Sequence, residues 1–374
     1  MNDSLRYDRS AVAVAMSGGV DSSVAAALLT RAGHRVLGIT MRLWREASSP
    51  SPCTDRGATM DADSEKSVRD SAAVCRHLGI PHHVIDLGEA FVDEIIDPFV
   101  REYADGRTPN PCVRCNRSIK FGRLLDHVRG LGCDYLATGH YARIRRVAGR
   151  HHLLRGADPA KDQSYFLYTL QQEQLRSIIF PIGNWTKERV REAAVEWGLP
   201  TAERSESQDV CFLRDDDYRR FIMERLPEAV CPGPIYNTQG ELLGRHKGLP
   251  FYTVGQRGGL GIAAPRPLYV IRLDAPRNAL IVGYAEELGA RALEAADMSY
   301  VGETLPAGAE VDARIRYRAA PAPARVWPLD DGRARIVFRR SLRDITPGQS
   351  VVLYRDDEVL GGGIIARVLG DFDA

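Results

Sequence analysis

The sequence predicts an α/β protein in three parts: a parallel sheet with covering helices, a small β-rich central module, and a C-terminal β-barrel. Three observations carry this expectation. Short apolar, strand-like runs alternate with helical patterns in the first half of the chain, as the crossovers of a parallel sheet require. Beyond Leu226 proline and glycine become frequent, and the runs at 268–273 and 279–282 are short and β-like. From 290 onward, 311–318, 335–338, 351–354 and 363–368 form a strand series suited to a small antiparallel barrel. The parts are expected at 1–220, 221–288 and 289–374, with the first break near 215–225.

The first element is the apolar run 11–16, a strand covered on both faces, broken by Ser17, Gly18 and Gly19. The glycines allow positive φ and close approach of the backbone to a ligand, and Asp21, Ser22 and Ser23 favour a helix start. Backbone N–H groups and the positive helix end then face outward as an anion site. No Lys follows the glycines, so the loop lacks the usual phosphate lysine.

A second strand is expected at 36–43, a loop carrying Cys53 at 46–60, a helix at 65–78 stopped by Gly79, a strand at 81–87 and a helix at 89–103. His82 and His83 read as packing or surface residues. Pro109 and Pro111 predict an extended loop bearing Cys112 and Cys115, with a helix starting near Asn116 or Arg117. Residues 133–142 read as a strand with a polar tip, where open α/β sheets bind ligands. A hairpin leg at 151–154, a helix opened by 161–168, and a helix capped by Thr186 and ended at Gly198 follow. Arg219, Arg220 and Phe221 belong to a further helix near Cys211.

Composition is ordinary for a globular protein, with 374 residues and a formal charge of +1. A general electrostatic attraction to nucleic acid is excluded, so an RNA partner needs local patches. One candidate lies at 114–150, where nine Lys/Arg face Asp126 and Asp134, a net +7. Another is the alternation of Arg314, Arg316 and Arg318, which a strand would place on one face, although 290–374 has twelve Arg against thirteen Asp/Glu. No run suits a membrane span or a secretory segment, and seven cysteines in such a chain suggest a reducing cytoplasm. Cys75, Cys133 and Cys231 read as packing or incidental thiols. Cys115, beside Arg114 and ahead of a basic helix, is expected to be a reactive thiolate.

The heptad SGGVDSS at 17–23 resembles the PP-loop of ATP pyrophosphatases, enzymes that cleave ATP to AMP and pyrophosphate. With NPC-x-x-CN at 110–116, TGHYAR at 138–143, KDQSYFLY at 161–168, SQDVCF at 207–212, GQRGGLGI at 255–262 and PGQSVVLY at 347–354, nearly the whole chain resembles bacterial tRNA-specific 2-thiouridylases. The resemblance implies a Rossmann-like, adenine nucleotide alpha hydrolase fold for the first part. It implies adenylation by ATP, with Mg²⁺, of the carbonyl at carbon 2 of the wobble uridine, then its replacement by sulfur. Cys115 takes the nucleophile position and Cys211 the persulfide position. Ala15, Met16, Ser17, Gly18, Gly19, Val20, Asp21, Ser22, Met41 and Gly139 take ATP positions, with Asp21 helping to hold Mg²⁺ and pyrophosphate. Asn110, Pro111 and Cys112 take the target-base positions. His140, Lys161, Asp162, Gln163, Arg316, Tyr317 and Gln349 take tRNA positions. The implied partners are tRNA and a sulfur-relay protein or cysteine desulfurase, with a monomer expected, no membrane and no resident metal.

Members of that family commonly carry Asp where this chain has Cys112. Cys112, Cys115 and Cys211 supply three thiolates, the number that holds a 4Fe–4S cluster with one open iron, so a cluster-dependent thiolation competes with the persulfide route. A PP-loop ligase or amidotransferase acting on a small molecule is the other alternative.

Overall fold

The structure is a computed structural model that describes residues 10–44, 62–204, 210–213, 215 and 217–370, with backbone only for 62–63. The loop predicted around Cys53 lies outside these residues. The chain divides into two units. One comprises Met1–Ile95, Cys112–Asp216 and Asp357–Val359, the other Ile96–Pro111, Asp217–Asp356 and Leu360–Ala374.

The first unit holds β1 (Ala11–Ala15), β2 (Arg35–Arg42), β3 (His82–Asp86), β4 (Tyr135–Ala137), β5 (Ala142–Val147), β6 (Arg150–Arg155) and β7 (Ile178–Ile179). Five of these form a parallel sheet in the order β3-β2-β1-β4-β7. The central β1 is almost wholly buried, which explains its unbroken apolar run. Val12, Val14, Val24, Ala26 and Leu29 meet Val190 and Ala193 in one core, so the helices Val20–Arg31 and Lys187–Glu196 are packed through it. Burying these side chains stabilises the unit by roughly 1.5–3 kcal/mol for each large aliphatic residue.

Helix Val20–Arg31 begins directly after the glycine turn, and Gly79 at φ +67° follows the helix Ala62–Leu78. Thr186 caps Lys187–Glu196 by accepting from Arg189 N, with Gly198 at φ +62° beyond it, as the sequence predicts. His82 packs through a 2.8 Å bond between Nε2 and Thr40 Oγ1, while His83 is exposed.

Four expectations are corrected. The predicted strand at 133–142 is two strands: β4 ends at Ala137, Thr138–His140 form a tip, and Ala142 starts the β5–β6 hairpin. The helix expected from 161–168 is only a single 3₁₀ turn at Ser164–Phe166. There the buried Asp162 accepts from Gly156 N, Ser164 N and Ser164 Oγ, a local arrangement that competes with helix. Pro111 opens a helix, Pro111–Arg114, that widens into a π-helical stretch, Cys115–Leu124, so neither cysteine lies on an extended loop. Finally, the strand carrying Arg314 ends at that residue. Arg314 Nε donates to Ala319 O, closing a turn that contains Arg316, Tyr317 and Arg318.

The second unit contains β8 (Gly233–Asn237), β9 (Leu242–His246), β10 (Tyr269–Asp274) and β11 (Ala279–Gly283), ordered β10-β11-β8-β9. It also contains β12 (Gly289–Tyr300), β13 (Ala309–Arg314), β14 (Ala322–Pro328), β15 (Ala334–Arg343), β16 (Ser350–Arg355) and most of β17 (Glu358–Leu369). These run in the order β12-β15-β14-β13-β16-β17, and pairing of β12 with β17 closes the barrel. Alternate residues such as Ala322, Ala324 and Val326 fill its interior. With the parallel sheet, the central sheet and the closed barrel, the three-part fold class agrees with the sequence.

Candidate functional site

At the carboxyl end of β1 the chain turns through Ser17–Gly19 into the helix Val20–Arg31. Gly18 has φ +71°, and a Cβ there would stand 2.7 Å from Arg204 Nη1 and 3.0 Å from Ser67 O. The hydroxyls of Ser22 and Ser23 both donate to Gly19 O, at 3.1 and 2.8 Å, bracing the turn. Gly139, at the tip after β4, lies directly against Ser22 N and Asp21 C, where a Cβ would approach to 2.7 and 2.8 Å. Ala15 ends β1, and Met41 is the last residue but one of the neighbouring strand β2. The ten sequence-predicted ATP positions thus gather at the carboxyl ends of adjacent parallel strands, where open α/β sheets hold ligands.

Cations reach this loop from distant parts of the chain. Lys187 Nζ lies 2.7 and 2.9 Å from the two carboxylate oxygens of Asp21, and Tyr141 donates its hydroxyl to the same carboxylate at 2.8 Å. Arg204 donates to Gly18 O and to Asp70 at 2.5 Å. A helix N-terminus, a glycine cradle that tolerates no Cβ and these two cations suit the phosphates of ATP.

Cys112 and Cys115 sit three residues apart on the helix that starts at Pro111, so they share a face. Cys115 is buried and Cys112 is exposed at its surface, as is Cys211. Burial pushes the Cys115 thiol up to about 12, against the lowering effect of the Lys120 ammonium. The reactive thiolate expected beside Arg114 is therefore corrected: in this protein Cys115 is a protonated, buried thiol, because desolvation outweighs nearby positive charge. Burial also pushes Cys112 up to about 11, the charge of Cys211 adding to the effect and Lys120 opposing it. Cys112 thus combines an open surface with a crowded sulfur, and the surface decides its access to reagents. Cys211 acts on both other sulfurs, which makes the three thiols electrostatic neighbours. Among the described residues no three His, Cys, Asp or Glu side chains form a ready metal-ligand group.

The π-helical winding bonds residue i to i+5, which brings Lys120 round to the face of Cys115. Lys120 also acts on His140, whose pKa burial and this cation hold well below the usual imidazole value. The neutral His140 ring lies 5.8 Å from Phe121 and 5.9 Å from Phe180, and Nδ1 is 2.7 Å from Thr138 Oγ1. His140 follows Gly139 in sequence, so it links the nucleotide loop to the thiols. Iodoacetamide at pH 7.5 is expected to modify exposed Cys231 and Cys211 first and Cys115 last, with Cys112 gaining reactivity as pH approaches 11. Peptide mass spectrometry reads the order, and labelling of Cys115 as fast as Cys231 would contradict its burial.

The tRNA positions are less uniform. Lys161 is half-buried, whereas the Asp162 carboxylate is buried and spent on backbone N–H groups, and Gln163 Oε1 accepts from Tyr141 N. Asn110 and Pro111 follow a segment whose Thr108 and Pro109 carbonyls accept from Gln349 Nε2 at 2.9 and 3.3 Å. Arg316 donates to Thr346 Oγ1 at 2.5 Å and Val254 O at 3.1 Å, and Tyr317 stacks with Arg314. In the basic tract, Arg123, Arg129 and Arg143 form ion pairs with Glu94, with Asp126 and Glu173, and with Asp357, while Arg117, Arg145 and Arg146 are exposed. The tract's open charge is therefore smaller than its net +7.

Sequence reasoning missed Lys120, Tyr141, Lys187 and Arg204. Lys120 lay in the basic tract 114–150, Tyr141 in TGHYAR and Lys187 directly after the Thr186 cap, whereas Arg204 had no local signal.

No helix among the described residues is long and apolar enough to cross a membrane. Residues 10–215 match a family model described as "tRNA methyl transferase HUP domain", 219–284 a "tRNA methyl transferase PRC-barrel domain" and 290–365 an "Aminomethyltransferase beta-barrel domain". The tRNA-specific 2-thiouridylase MnmA of Moorella thermoacetica is 52% identical over 95% of this chain and 99% of its own length. The MnmA proteins of Geobacter metallireducens and Geotalea uraniireducens are 49% and 48% identical, each over 96% of this chain and over 97% and 96% of their own lengths. With identity of this extent end to end, the chain belongs to the family of tRNA-specific 2-thiouridylases.

Proposed function

We propose that this chain converts the wobble uridine of tRNA to 2-thiouridine. ATP adenylates the carbonyl oxygen at carbon 2, turning a poor leaving group into AMP, and a persulfide on Cys211 supplies the sulfur. Cys115 loses its proton and attacks the inner sulfur of that persulfide. The S–S bond breaks toward the outer sulfur, which adds to carbon 2 while AMP departs. A Cys115–Cys211 disulfide results, and a cellular thiol reductant restores both thiols. One observation carries the reading: within a single unit, Gly139 and His140 join the loop 17–22 to Lys120 and the three thiols.

Asp21, the acidic side chain in the first turn of the loop helix, would hold Mg²⁺ on giving up its contacts with Lys187 and Tyr141, and the metal would neutralise phosphate charge there. Asn110, Pro111 and Cys112 would meet the target base. The remaining tRNA contacts would come from His140, from the backbone and Lys161 in 161–163, and from Arg316, Tyr317 and Gln349. The division into 1–220, 221–288 and 289–374 is supported by the separate sheets β8–β11 and β12–β17. A cytoplasmic monomer served by a sulfur-relay protein or cysteine desulfurase completes the proposal.

The test is incubation of tRNA from a thiolation-deficient source with protein, ATP, Mg²⁺ and a persulfide donor, followed by nucleoside digestion. Appearance of 2-thiouridine with stoichiometric AMP is expected. Release of AMP and pyrophosphate without tRNA would favour a small-molecule ligase instead. Because Cys112 stands where the family commonly has Asp, the assay is run aerobically and anaerobically with iron analysis. Activity found only in iron-loaded protein would replace the persulfide route by the cluster route.

A further inference from the structure

The stretch GQRGGLGI at 255–262, just before β10, has no part in the sulfur chemistry, and its glycines do not all serve the fold. Gly255 does, since it has φ +86° and a Cβ there would collide with the Asp344 carboxylate. Gly259 and Gly261, at φ +77° and +67°, let the chain turn in the left-handed region. Gly258 needs neither freedom: its φ is not positive, and nothing stands within 4 Å of its Cβ position. The protein itself gives no reason for glycine there, whereas close approach of another molecule to the main chain does.

We propose that the loop 255–261, with Arg257, holds a phosphate of the tRNA backbone. This assignment rests on the tRNA reading of the proposed function. The loop is anchored from beneath, because Leu260 and Leu268 are buried in one core with Tyr252 and Val270. Gly255 N donates to Val270 O at 2.8 Å, and Val270 N to Gln256 O at 2.9 Å. The Gln256 side chain accepts from Thr253 N at 3.2 Å and donates to Gly258 O at 2.8 Å, bracing the turn. Among the described residues, the main-chain N–H groups of Gly258, Gly259 and Gly261 and the exposed Arg257 guanidinium have no partner. The segment folds round an open recess of about 620 Å³, on which Arg266 is already held by Glu286 at 2.7 Å and Arg257 is not. Held donors on a bare main chain, joined by one arginine, match the oxygens of a phosphate, and glycine lets a ribose-phosphate strand come close. Positive charge continues beside the loop. Arg316 donates to Val254 O at 3.1 Å, which ties the loop to the turn carrying Arg316 and Arg318. Asp344 answers Arg316 at 4.0 Å, while exposed Arg318 has no partner among the described residues. That excess of charge favours a polyanion over a neutral ligand.

The experiment is filter binding of full-length tRNA over a range of salt concentrations to the wild type, Arg257→Gln and Gly258→Asp. Both positions are exposed, so melting curves and ATP affinity should stay at the wild-type values. Arg257→Gln is expected to weaken tRNA binding about fivefold and to flatten the slope of log K against log salt by about 0.7–0.9. Gly258→Asp, which sets a carboxylate against the phosphate, should weaken binding roughly tenfold. Unchanged affinity and slope in both variants overturn the assignment, as does a loss of affinity in Arg257→Gln with no change of slope. Unchanged tRNA binding with loss only of sulfur transfer from a donor protein makes the loop a protein-docking site and overturns it too. A wild type that binds no tRNA sinks the tRNA reading itself.

Discussion

Serine at position 115 or at position 211 abolishes 2-thiouridine formation, a loss expected on the order of a thousandfold or more, while tRNA affinity stays within about twofold. The two changes act differently. At 211 the exposed sulfur that would carry the persulfide is gone, and a hydroxyl cannot replace it. At 115 the buried thiol is lost from beside Lys120, so the persulfide's outer sulfur is no longer released. Serine is nearly isosteric with cysteine, and melting curves should remain close to that of the wild type. Cys112→Ser separates the two chemistries. Retained activity fits a two-thiol route, whereas loss together with loss of bound iron fits a cluster. Digested tRNA analysed by mass spectrometry gives the activity and filter binding gives the affinity. An active Cys115→Ser or Cys211→Ser protein removes the assignment.

Gly139→Ala is expected to weaken ATP binding by more than tenfold and to cost about 1–3 kcal/mol of stability. The added methyl would meet Ser22 N at 2.7 Å and Asp21 C at 2.8 Å, both main-chain atoms that no rotamer change can move. Either the tip after β4 or the start of the loop helix must shift, and both carry site residues. Gly130→Ala is the control: nothing stands within 4 Å of its Cβ position, and alanine favours a helix end. Thermal melting and ATP titration of both variants decide the matter, and a Gly139→Ala protein with wild-type ATP affinity would show that the close contact is unimportant.

Local patterns were legible where the chain decides locally. The buried run of β1, the glycine turn, the Thr186 cap and the barrel strands all follow from residues adjacent in sequence. The cations at the loop do not, because Lys187 and Arg204 reach it across 166 and 186 residues. Two segments misled for the same reason. At 161–168 and 314–318, side chains bond to nearby main chain, Asp162 to Ser164 N and Arg314 to Ala319 O, and replace the helix and the strand that periodicity suggests. Cys115 misled differently. Its neighbour Arg114 and its place near a helix start argued for an acidic thiol, but burial is a tertiary property and outweighs both.

The wide helix Cys115–Leu124 ties thiol acidity to helical pitch. Wound as an ordinary α-helix, the same residues would carry Lys120 about 140° round the axis from Cys115. In the observed winding the ammonium instead stays on the sulfur's side. Helical pitch over this one turn therefore sets how near the ammonium stands to the buried sulfur. A five-residue spacing between cysteine and lysine, mismatched to α-helical repeat, is the mark this leaves in the sequence.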